Sequence, residues 1–387
     1  MNVFRYLIYS ATEVQVLVIV GAFLANALYG LGVALYLTRY HRTHNNVPGA
    51  MTRYRIFSQY VYIPILAVFV FFITLAFAGL LRKFGHVNGT ATMVLSFTAI
   101  FLLIMENQFV YYRVIKHIRE TSVSLKGQLG AAARQTAIML LPIALINIVI
   151  QASRYAENSQ VIQITAIVAF ALLINALTPW LYKFMLKARP FEESPEKTQL
   201  ESLLELSEIR NAGLFSYPGK GQKNANAVVT GLFKKRIFIS DYLMENLDGD
   251  ELSAILGHEI GHIKKLHVPV RIGLILLIIP LFMGAGKLIE LIKNYIHIPI
   301  TFMSTVAVFA VLALGYVVGI RLWIIRAQEY AADAFACTLG SSPRILASAL
   351  KKIAQLNHSA QTLHAVDEKL QTHPSIARRV ARLENMT

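Results

Sequence analysis

Seven runs of apolar residues, each long enough to cross about 30 Å of hydrocarbon as a helix, divide the chain into membrane spans and polar segments. They run approximately from Val16 to Leu37, Ile56 to Leu81, Met93 to Tyr112, Thr136 to Ala152, Val161 to Phe184, Val268 to Ile292 and Ile300 to Ile325. Pro142 and Asn147 fall in the fourth and shortest run, where a kinked or partly interfacial helix is expected. Glu106 and Asn107 sit within the third. Polar groups at that depth are costly unless they line a cavity or bond to another helix.

Two polar segments remain. Residues 187–267 open with an acidic, helix-like stretch from Pro195 to Arg210, followed by strand-like Ala225 to Thr230 and Arg236 to Ser240 around Gly231. Asp248-Gly249-Asp250-Glu251 then reads as a capping box, in which Asp248 accepts backbone N–H bonds and Glu251 reaches back. The helix it starts carries an apolar stripe of Leu252, Ile255, Leu256 and Ile263. The second polar segment begins at Arg326.

Composition agrees with this division. Of 387 residues, 55% are hydrophobic and only 15% charged, with a mean hydropathy of +0.51, whereas a soluble domain has nearer a quarter charged. A net charge of +15 raises the question of nucleic acid, but no basic stretch with interleaved aromatics or glycines supports it. Lys and Arg crowding into cytoplasmic loops beside anionic lipid accounts for the charge. Arg39, Arg42, Arg53 and Arg55 load the first loop and Arg113, Lys116, Arg119, Lys126 and Arg134 the third, against Arg82 and Lys83 in the second. That asymmetry sets the N-terminus outside and brings both polar segments to the cytoplasm. The lone Cys337 excludes an internal disulfide and a multi-cysteine metal site.

His258-Glu259-Ile260-Gly261-His262 is the feature that carries chemistry. Two imidazoles four apart share one helical face and can hold one zinc ion, while Glu259 can take a proton from water. A catalytic zinc needs a third protein ligand and an open position. Glu329 is the candidate, directly after the seventh span, with Asp333 one turn on to hold a ligand imidazole by its other ring N–H. His267 reads as an interfacial residue at the membrane edge.

With these residues in place the chain resembles the M48 family of membrane-bound zinc peptidases, which includes the CAAX prenyl protease and the bacterial quality-control protease HtpX. Four separated features carry the resemblance: Asn226-Ala227 with Gly231, His258-Glu259-x-x-His262 followed by Ile263-Lys264, Glu329-x-x-x-Asp333, and Thr372-His373-Pro374-Ser375 with Arg379. It implies a zincin-like cytoplasmic catalytic domain with one Zn2+ per chain on His258, His262 and Glu329. It also implies Glu259 as general base, Asp333 behind the ligands, and His373 and Arg379 stabilising the tetrahedral oxyanion. Asn226 begins a strand that in the family runs beside the substrate. The expected division is a transmembrane region over residues 1–186, catalytic pieces at 187–267 and 326–387, and a transmembrane hairpin at 268–325. Seven spans resemble the CAAX prenyl protease architecture, whose helices enclose a chamber, more than the shorter HtpX type.

The expected protein is therefore mainly α, polytopic, with a small β-sheet, and acts as a zinc metalloendopeptidase on protein or peptide substrates. Membrane-associated and prenylated proteins are among the candidate substrates, the lipid bilayer is a partner, and nucleic acid is not. A bacterial plasma membrane is favoured over an endoplasmic reticulum. A polytopic metal-ion transporter with a His/Glu zinc site is the alternative, and it would place the metal at membrane depth between spans.

Overall fold

The computed structural model describes residues 11–85, 89–153, 156, 158–209, 212–231, 234–295, 305, 308–309, 311–313, 315–361, 368 and 371–386. Arg210 and Ile300 lie outside them. Among the described residues, seven helices are long and apolar enough to cross a membrane: Thr12–His44, Val47–Lys83, Gly89–Arg119, Leu125–Ala152, Ser159–Leu186, His267–Ile292 and Val311–Thr338. The first six extend past their apolar runs, and the seventh past the C-terminal end of its run, because helical hydrogen bonding continues into polar flanks that hydropathy does not mark.

Two compact units make up the chain, the first comprising residues up to 174 with residues 220–223 and 358–360. It holds α1 (Thr12–His44), α2 (Val47–Arg55), α3 (Tyr62–Lys83), α4 (Gly89–Arg119), α5 (Leu125–Ala152) and the start of α6 (Ser159–Leu186). Pro142 sits inside a continuous α5, since the neighbouring residues keep helical hydrogen bonds. Glu106 accepts from Asn26 at 2.7 Å, and Asn107 donates to Asn26 at 2.9 Å. These contacts pair Asn26, Glu106 and Asn107 with one another, polar groups that are costly to leave alone in hydrocarbon. Glu106 also lines a groove of about 920 Å³ with Phe23, Phe101, Leu125 and Lys126, so both expected roles occur together.

The second unit holds the rest of α6, β1 (Arg189–Pro190), α7 (Pro195–Leu206), β2 (Gly213–Tyr217), β3 (Ala227–Thr230), β4 (Arg236–Ser240), α8 (Asp241–Asn246) and α9 (Gly249–Lys264). After these come α10 (His267–Leu276), α11 (Ile278–Tyr295), α12 (Leu322–Thr338), α13 (Pro343–Leu356) and α14 (Ile376–Glu384). The sheet order is β1-β2-β4-β3, parallel between β2 and β4 and antiparallel elsewhere. Ile237 and Ile239 of β4 turn to one face and join Leu252, Ile255, Leu256 and Ile260 of α9 and Leu346, Leu350, Val380 and Leu383 in the main core. Phe238 turns the other way, against Ala188 and Tyr217, with Tyr182 and Leu186 at the end of α6. One face of the sheet thus carries α9 and the other receives the end of a membrane helix.

Candidate active site

Asp248 accepts from Glu251 N–H at 2.8 Å and Glu251 accepts from Asp248 N–H at 3.3 Å, the reciprocal cap that starts α9. Glu251 is buried, and its carboxylate also receives Ser348 and Lys352 of α13, fixing the helix at its first turn. Further along, Gly257 and Gly261 lie against Ala336 and Ala332 of α12. A Cβ on Gly261 would come within 2.9 Å of the Ala332 Cα, so the two backbones meet with no side chain between them. That close approach brings Glu329, one turn before Ala332, to the histidines.

His258, His262 and Glu329 are all buried, and one ligand atom from each lies within 4.8 Å of the others. The two Nε2 atoms are 3.2 Å apart, and Glu329 oxygens stand 3.5 Å from each. Donors about 2.0–2.1 Å from a tetrahedral zinc are roughly 3.3 Å from one another. Two imidazoles and a carboxylate at this spacing fit zinc with one position left open.

Each of these three side chains has a partner behind it. The Nδ1 of His258 lies 2.9 Å from Asp333 Oδ1, and Arg379 grips that carboxylate with Nε at 2.8 Å and Nη2 at 2.5 Å. Arg379 is only 5% exposed, so its guanidinium is packed beneath the ligands rather than open to the cleft. Burial pulls Arg379 down, but the adjacent Asp333 carboxylate outweighs it and holds the charge. Glu259 has its Oε2 on Val229 N–H of β3, at 3.0 Å. Burial pushes its carboxyl above the usual range, partly opposed by His258. Burial and the charge of Arg379 depress His258, yet hydrogen bonds to Asp333 and Glu329 prevail and raise it to about 9. Burial, helped by the charge of His258, lowers His262 to about 2, leaving a neutral imidazole.

His373 approaches from outside, its side chain 61% exposed and its Nδ1 2.8 Å from Glu329 Oε2. Asn226 stands just before β3, with its backbone tied to Ser240 at 3.1 and 3.0 Å and its side chain exposed. Its hydrogen bonds lead into the sheet, and the strand's link to the site is Val229, whose N–H donates to Glu259.

Two residues of α10 were not anticipated. His267 is buried, not interfacial, with its Nδ1 2.7 Å from the Nδ1 of His262. Leu266 in the left-handed region, φ 54°, ends α9 and turns the chain so that His267 folds back on the ligand. Four residues on, Arg271 donates to Gln328 at 2.8 Å and to Glu329 at 3.2 Å. Their i,i+4 spacing on one helical face was the available signal, but only the turn at Leu266 aims that face at the site.

Residues 196–387 match the family model described as Peptidase family M48. These residues belong to peptidase family M48. Among similar proteins, "Protease HtpX homolog 1" of Saccharolobus solfataricus is 30% identical over 206 residues, covering 47% of this chain and 64% of that protein. "CAAX prenyl protease 1 homolog" of Oryza sativa subsp. japonica is 27% identical over 210 residues, covering 51% and 49%. The matched stretch is thus under two thirds of either relative's length. The crystal structure of S. mikatae Ste24p superposes with a TM-score of 0.58 at 19% identity, over 95% of this chain and 98% of that one. That is a likeness of fold, and it extends well beyond residues 196–387, the stretch that the family model matches. Together with seven apolar helices among the described residues, that likeness of fold supports an integral multi-pass membrane protein.

Proposed function

We propose that this protein is a membrane-integrated zinc endopeptidase that hydrolyses peptide bonds at the cytoplasmic membrane face. The observation that carries the reading is the meeting of His258, His262 and Glu329 at zinc-shell spacing with Glu259 alongside. A zinc ion held there, one per chain, supplies Lewis-acid polarisation of a scissile carbonyl and of water. Glu259 removes the proton from the attacking water and returns it to the leaving amine, a role its raised pKa suits. His373 faces the cleft and donates to the developing oxyanion. Arg379, sealed against Asp333, supports that charge from behind while fixing the His258 ring through the carboxylate.

β3 is an edge strand, and its Val229 N–H points away from β4 toward Glu259. An extended substrate adding to that edge would lie along the general base, with Asn226 at the start of the strand. The name of one relative, CAAX prenyl protease 1 homolog, favours prenylated CAAX-type proteins as substrates, and membrane proteins under quality control are the second class that the family resemblance implies. Transport of the metal is disfavoured, because α9, which carries two of the three ligands, is not one of the seven apolar helices. The test is Glu259→Gln in full-length protein purified from a bacterial membrane: zinc content stays near one per chain while peptide cleavage falls at least about a hundredfold. Undiminished cleavage by that variant refutes the mechanism.

A further inference from the structure

A cluster of cations and aromatic rings stands where α6 meets the sheet, on the face opposite α9. Trp180 and Lys183 are three residues apart on the last turns of α6, hence on one side of the helix. The Arg236 guanidinium lies over the Trp180 ring, 3.9 Å from its centre, and 5.3 Å from the centre of Phe215. Lys183 Nζ is 5.2 Å from that same Phe215 ring. The arrangement is anchored: Phe215 stacks on Phe238 with centres 5.4 Å apart, and Tyr182 packs on Phe238 from α6. Gly231, at φ +100°, brings the β3–β4 loop so close that a Cβ there would meet Pro179 of α6 at 2.8 Å.

Three features of this cluster exceed what packing requires. Trp180 is 55% exposed at the end of a helix apolar enough to span a membrane, the position tryptophan takes at a headgroup layer. The stretches 175–191 and 225–240 contribute Lys183, Lys187, Arg189, Lys234, Lys235 and Arg236 without a single acidic residue. Arg236 Nη1 is buried and meets no hydrogen-bond partner among the described residues. A guanidinium stacked on an indole keeps its N–H edge free, and that edge matches two oxygens of a phosphate.

We infer that Trp180, Lys183 and Arg236 form a binding site for the headgroup phosphate of an anionic phospholipid. The lipid would sit with its acyl chains along α6 and its phosphate between the two cations, tying this edge of the sheet to the membrane surface.

The chain has only two tryptophans, Trp180 and Trp323, so Trp323→Phe leaves Trp180 as the sole reporter. Full-length protein is reconstituted in phosphatidylcholine vesicles containing a small fraction of phosphatidylglycerol, with bromine on the acyl carbons nearest the headgroup of one lipid or the other. At equal mole fraction, brominated phosphatidylglycerol should quench Trp180 about threefold more than brominated phosphatidylcholine, and high salt should reduce the excess. Arg236→Gln and Lys183→Gln should each remove most of it. Lys183→Gln, which leaves the Arg236–Trp180 stack in place, keeps the test readable if Arg236→Gln fails to fold. Equal quenching by the two lipids overturns the inference and leaves the stack as a packing contact. An excess that persists in both variants also overturns it, assigning the enrichment to the general lipid annulus.

Discussion

Gly261→Ala tests whether the backbone contact between α9 and α12 is what assembles the site. The new Cβ would stand 2.9 Å from the Ala332 Cα and 3.1 Å from the Ala332 carbonyl oxygen. Two carbons rest near 3.7 Å, so relief requires the helices to part by about 0.8 Å. Glu329 rides on α12, and metal–ligand distances tolerate only about 0.2 Å. Zinc affinity, measured by competition with a fluorescent chelator, should therefore fall about 10- to 100-fold, the range seen when ligand support is disturbed. The metal-free protein should lose about 1–3 kcal/mol, as expected for an overpacked interface, read from denaturant melts in detergent. Gly257→Ala provides a graded comparison, since its Cβ would meet the Ala336 Cα at 3.3 Å, and Gly273→Ala a control, with nothing within 4 Å. Gly261→Ala retaining zinc affinity within about twofold of the parent would refute the argument that this contact sets the ligand geometry.

Two further outcomes follow from the charges around the ligands. Asp333→Asn should weaken zinc binding about 10- to 100-fold by chelator competition, because the His258 Nδ1–H loses its carboxylate. Asp333→Leu should in addition destabilise the protein by about 3–5 kcal/mol, since it strands the buried Arg379 guanidinium; equal melting of the two variants would contradict this. In the metal-free site His258 has its pKa raised to about 9, and the metal takes only the neutral ring, so binding releases a proton at any pH below that value. His262, lowered to about 2, releases none. Zinc affinity should climb about tenfold per pH unit up to pH 9 and level off above it. Calorimetry in buffers of different ionisation enthalpy should count about one proton per zinc near neutral pH, and a count near zero would be the contrary result.

The spans were legible because a membrane helix is defined by length and apolarity, both local properties. The capping box at Asp248 and Glu251 was legible for the same reason, as were β3 and β4, whose short β-branched and apolar runs flank a glycine turn. β1, two residues long with Pro190, and β2, with Gly213 and Ser216, carry no strand signature of their own. Their pairing with neighbours makes them strands. His267 lay in plain sight yet was misread, since its role depends on the turn at Leu266 rather than on its surroundings in the chain.

The amino-acid order by itself determined the helix that presents His258, Glu259 and His262 on one face, because a period of 3.6 residues follows from the backbone alone. It also determined which helices are apolar enough to enter a membrane. Only the tertiary structure decided what meets that face. Two glycines against two alanines let α9 and α12 touch, so that Glu329 meets the two histidines across 67 residues of chain. The fold likewise sealed Arg379 onto Asp333 and set Arg236 on Trp180. These choices depend on distances between backbones, which arise from packing and not from spacing along the chain.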